Sequence, residues 1–214
     1  MFHRPRSTAT ARDTLARSAL ALLMLCLVGC KSAPPSTMGY SHEIVPGVTR
    51  DRVEEIAGKP QSSQPFNLDT MHAEVLAYPF GQVILSDGHV IVVTIIKDPA
   101  YVGPFGAAPG VMDEQFQASL KAHKGHRSGH VDSYDVIVTQ GETRTRDWYD
   151  STDNLMVEFA ATNANDPEAP YQIVAVNLAN EAGMMLLQEI VKSKLRGEFP
   201  DQRVVNFVSE PWST

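Results

Sequence analysis

The chain has 214 residues, 43% of them hydrophobic. That is long enough for one large domain or two small ones, and apolar enough to exclude wholesale disorder. The formal charge of −7 excludes general affinity for nucleic acid, whose phosphates repel an acidic surface.

The first segment carries Arg4, Arg6, Arg12 and Arg17 ahead of an apolar run over 19–27. A bilayer-spanning helix needs about 20 apolar residues, so this run is too short to cross. It has the length of a signal-peptide core, about 7–15 residues. It ends in Leu27-Val28-Gly29-Cys30, which resembles a bacterial lipobox. Small residues let the backbone enter a peptidase, and the Cys30 thiol is the strong nucleophile that thioether formation needs. The resemblance implies cleavage before Cys30 and a membrane anchor of lipid on its sulfur. Lys31 follows with no Asp beside it; by resemblance to envelope sorting rules, this implies the outer membrane, facing the periplasm. Cys26 leaves with the leader, so no intramolecular disulfide is expected. The leader also removes four Arg and one Asp from totals of 18 and 25, leaving 14 basic and 24 acidic residues and a charge of −10.

After a Ser/Pro/Gly tether over 30–43, the first unit spans 44–97. Thr49 caps a short helix carrying Asp51 in its first turn and Val53, Ile56 and Ala57 on one face, with Gly58 and Pro60 as the stop. Strands follow over 74–78, 83–85 and 90–96, and Asp87-Gly88 predicts a tight hairpin between the last two. Residues 98–110, with three Pro and three Gly, read as a linker.

A second unit is expected over 111–214. Pro46-Gly47-Val48 recurs as Pro109-Gly110-Val111, 63 positions later. A helix over 113–122 and strands over 134–138, 145–149, 155–159 and 171–178 follow. Residues 181–195 place Met184, Leu187, Ile190, Val191 and Leu195 on one helical face, and 204–208 adds a last strand. The expected fold is α+β: two tandem helix-plus-antiparallel-sheet units after a signal peptide over 1–29, with a C-terminal helix. A short helix covers only one sheet face, so the other is expected to stay open for docking.

The first unit resembles the SmpA/OmlA (BamE-like) family of outer-membrane lipoproteins. The residues that carry this are the lipobox at Cys30, the run from Val45 to Val53 read as Val-Pro-Gly-Val-Thr-Arg-Asp-Arg-Val, Gly58-Lys59-Pro60, the strand at Tyr78, and Ser86-Asp87-Gly88-His89-Val90. The resemblance covers 44–97 and implies a protein-binding or assembly accessory whose partner is another envelope protein. A second module in tandem is similar in fold to β-lactamase-inhibitory proteins, which implies the alternative of an enzyme inhibitor.

No catalytic constellation stands out, and neither a metal site nor a cofactor is expected. His123, His126 and His130 have metal-ligand spacing only on a continuous helix, which Gly125, Ser128 and Gly129 interrupt. Ser128, in Gly-His-Arg-Ser-Gly, misses the nucleophile-elbow spacing, and nearby His130 and Asp132 would assist a hydrolase only in the right geometry. Asn163-Ala164-Asn165-Asp166 and Glu168 lack the alternating ligands of a calcium loop. Tyr78, Trp148 and Tyr149 read as packing residues.

Overall fold

The computed structural model describes residues 42–68, 71–123, 127–138, 141–199 and 201–213. The segment expected to be a signal peptide, Cys30 and His126 lie outside them. Helix α1 (Arg50–Ala57) starts where the Thr49 hydroxyl accepts from the Arg52 amide at 3.4 Å, and ends at Gly58 with φ 77°. Four strands follow: β1 (Ser62–Leu68), β2 (Met71–Tyr78), β3 (Gly81–Ser86) and β4 (His89–Ile95). Asp87 and Gly88, both at positive φ (51° and 76°), make the β3–β4 turn, as an Asp-Gly pair favours. Helix α2 (Asp113–Ala122) leads into β5 (Ser128–Val138), β6 (Gly141–Asp150), β7 (Leu155–Ala161) and β8 (Tyr171–Ala179). Helix α3 (Glu181–Leu195) and β9 (Gln202–Ser213) close the chain.

These strands form one continuous antiparallel sheet of nine, in the order β1-β2-β3-β4-β8-β7-β6-β5-β9. The expected α+β class, with two tandem helix-plus-sheet units, is therefore corrected to a mostly-β fold carrying three α-helices among the described residues. Two causes lie behind the difference. The β4 and β8 edges pair with each other, Val92 opposite Ala179 and Ile95 opposite Val176, which removes two exposed edges at once. Strand content also exceeds the apolar runs: β1, the first half of β5 and the end of β9 are polar.

The repeated Pro-Gly-Val segments make matching contacts. Gly47 N–H donates to Val90 O at 2.7 Å, and Val90 N–H returns to Val48 O at 2.8 Å; Gly110 and Val111 do the same with Ile173, both at 2.8 Å. Each glycine has a positive φ, 98° and 91°, which a side chain would strain.

One sheet face carries α1 and α2. Val53, Phe116 and Leu120 pack there against Leu76, Val93, Trp148 and Phe159. Residues 98–110 join this core through Tyr101, Phe105 and Ala107, all buried. The opposite face was expected to stand open, and over its centre it does not. Met184, Leu186 and Leu187 of α3 share a core there with Val92, Tyr149, Met156 and Ala179. The Asn180 side chain caps α3 by accepting from Gly183 N at 3.0 Å. The helix runs from Ile91 on β4, beside Gly183, to Val191, which packs on Tyr134, Val136 and Val204.

Candidate functional site

Register sets the chemistry beneath α3. Asp132 on β5 stands directly opposite Asp147 on β6, and Asp147 directly opposite Glu158 on β7. Positions in direct register share a sheet face, so three carboxyl groups line up across three neighbouring strands. Like charges placed this way destabilise a sheet. Asp147 is 1% exposed and Asp132 6%, so water does little to screen them.

The surroundings show how the row is tolerated. The Tyr134 hydroxyl donates to Asp147 Oδ2 at 2.5 Å. Lys194, near the end of α3, is buried, and its ammonium lies 6.0 Å from the Tyr134 ring centre. Burial, reinforced by Glu158, pushes the Asp147 carboxyl up to about 8, against the pull of Lys194 and the Tyr134 hydrogen bond. Asp147 thus holds a proton at neutral pH, which removes one charge from the row. Burial and the nearby Asp147 also hold the Tyr134 and Tyr149 hydroxyls well above the ordinary phenol range.

A polar line continues from this row. Thr94 Oγ1 donates to Asn177 Oδ1 at 2.7 Å, and Asn177 Nδ2 donates to Glu158 Oε1 at 2.8 Å. At the other end, the His130 ring stacks on Tyr149 with centroids 4.3 Å apart, and its Nε2 lies 3.7 Å from Asp132 Oδ2. The whole is a polar seam between the sheet and the end of α3. Its most perturbed acid is sealed from solvent, which is unlike a general acid that must meet a substrate.

The residues singled out from sequence fall partly here. Ser128, His130 and Asp132 occupy alternate positions of β5 and so share a face. Ser128 Oγ pairs with Ser151 Oγ at 3.3 Å rather than with His130. His123 caps α2 beside Phe105, with centroids 4.8 Å apart, while His130 stacks on Tyr149. Among the described residues no group of three His, Cys, Asp or Glu is placed to hold a metal ion.

The loop through Asn163 and Asp166 turns its carbonyls onto Arg144, which donates to Pro167 O at 2.9 Å and also to Asn163 O and Asp166 O. A guanidinium takes the place where a calcium loop would hold its cation. Trp148 is core: it meets Phe116 edge-on at 5.1 Å and stacks on Trp212 at 4.7 Å. Tyr78 and Tyr149 are likewise buried. Sequence reasoning missed Asp147, Glu158, Asn177 and Lys194. The alternation Asp132-x-Tyr134 and Asp147-x-Tyr149 was the available signal for polar groups on a covered face.

No family model matches the chain, and no curated protein or solved structure matches it either.

Proposed function

We propose that this chain is a lipid-anchored protein of the bacterial cell envelope, held in the outer membrane through Cys30, whose folded part acts by binding another envelope protein. The observation that carries this is Leu27-Val28-Gly29-Cys30 at the end of an apolar run too short to span a bilayer. No helix among the described residues is long and apolar enough to cross a membrane. A tethered module meets its partner at raised effective concentration without new contacts.

Two features favour binding over catalysis. The perturbed carboxyl is sealed under α3, and Ser128 is bonded away from His130. The local structure at 44–97 also supports kinship with SmpA/OmlA accessories: Gly47 makes the Pro-Gly turn, Thr49 caps, Gly58 stops the helix and Asp87-Gly88 closes the hairpin.

Palmitate labelling with membrane flotation tests the anchor. The wild type should label and float, while Cys30→Ser should stay unlabelled and either unprocessed or soluble. A Cys30→Ser protein that is still processed and firmly membrane-bound overturns the reading. In-cell crosslinking should then give a discrete protein adduct that Cys30→Ser loses.

A further inference from the structure

We propose that the corner of the fold where the chain leaves toward Cys30 rests on the lipid surface that holds the anchor; this deepens the anchoring reading and depends on it. The corner is made by residues 42–46 and the loop 97–112. The His42 ring stacks on Tyr101 at 4.9 Å, and His42 Nε2 lies 3.5 Å from Ala100 O. The start of the folded part and this loop are thus one surface.

Three observations point to lipid as the occupant. The first is reach: His42 lies twelve positions after Cys30, and even a fully extended chain of that length spans only about 40 Å. The bilayer is never far from this corner.

The second is exposure. Val102 is 65% exposed, more than any other large hydrophobic residue described, and Val45 is 43% exposed. The loop that carries Val102 is firmly placed. Tyr101, Phe105 and Ala107 are buried, and Gly103 N–H donates to Ala107 O at 2.8 Å. The loop therefore holds Val102 outward on a packed base, where an apolar side chain gains by leaving water.

The third is charge. The chain from Cys30 onward carries −10, yet residues 99–112 contain no charged side chain at all. An acidic protein is repelled by an anionic membrane, and the repulsion is least where its surface is neutral. Of the acids that flank the loop, Glu43 pairs with Arg52 at 3.6 Å, Asp113 pairs with Arg146 at 2.7 Å and Asp98 accepts from Ala100 N at 3.0 Å, while Lys97 is an exposed cation beside it.

The test uses the full lipidated chain in phosphatidylethanolamine–phosphatidylglycerol vesicles. Once Cys30 carries lipid, a single new thiol can be labelled with a fluorophore. Val102→Cys probes the corner, and Val208→Cys, on exposed β9, serves as the control; both positions are exposed, so both variants should fold. A nitroxide placed high on the lipid acyl chain should quench the label at 102 several-fold more than at 208. Val45→Asp added to Val102→Cys should reduce that quenching while flotation persists. Equal quenching at the two positions in floating protein overturns the proposal and leaves the anchor intact. Protein that fails to float with the vesicles removes the anchoring reading, and the proposal falls with it.

Discussion

A buried carboxyl that keeps its proton at neutral pH makes stability depend on pH in a direction opposite to that of most acids. Asp147 is held up to about 8 by burial first and by Glu158 second, whereas an unfolded aspartate titrates near 4. The folded state therefore binds the extra proton between about pH 4 and pH 8. Its contribution is complete below that window and is lost as pH rises through it, at no more than about 1.4 kcal/mol per pH unit. Glu74 works the other way: the Ser63 hydroxyl, with Arg50 behind it, holds its carboxyl low, so its contribution is lost in acid. Asp147→Asn isolates the first effect, because its amide oxygen still accepts from Tyr134 and no longer titrates. In urea melts at pH 5, 6, 7 and 8, the wild type should lose stability relative to Asp147→Asn at each step up. A difference between the two proteins that stays constant across that range removes the protonated row from the account.

Among the elements, α3 decides how the second face of the sheet is closed. Its first turn approaches β4 so closely that a Cβ on Gly183 would lie 2.1 Å from the Ile91 carbonyl oxygen. Alanine is the better helix former by about 1 kcal/mol, but backbone cannot yield as a flexible side chain does. Overpacking of this kind costs about 1–3 kcal/mol. Gly183→Ala should therefore lower the urea midpoint, and a raised midpoint would mean that α3 rests less closely on β4. The helices themselves were legible, because capping residues and apolar faces are local signals: Thr49 for α1, and Met184, Leu187 and Val191 for α3. The Asp87-Gly88 hairpin was legible for the same reason. Strand β1 was not, since Ser-Ser-Gln-Pro-Phe-Asn-Leu is polar and carries Pro65, which only an edge strand accepts. The carboxyl row was hidden more deeply. Asp147 and Glu158 read as ordinary polar residues and Asp132 only as a neighbour of His130 and Ser128, and only cross-strand register, which no local pattern states, brings the three carboxyls together.

On the scale of the molecule, the joining of β4 to β8 turns what reads as two units into one cooperative body. The core beneath α1 and α2 draws Leu76, Val83 and Val93 from the first four strands and Trp148, Val157 and Val176 from the later ones. On the other face, α3 belongs to the later half of the chain but shares a core with Val75, Ile84 and Val92 of the earlier half. Residues 42–97 taken alone would expose the β4 edge that β8 covers and strip both faces of much of their apolar cover. About 25 cal/mol is lost for each Å² of apolar surface returned to water, and small sheets have little stability to spare. The folded part of the chain should accordingly unfold in one transition, with fluorescence from Trp148 and Trp212, both in the later half, coinciding with far-UV circular dichroism from the whole. A fragment of residues 42–97 should lack dispersed amide resonances. Two separated transitions, or a folded fragment, would show that the two halves are independently stable and that β4–β8 pairing is only an interface between them.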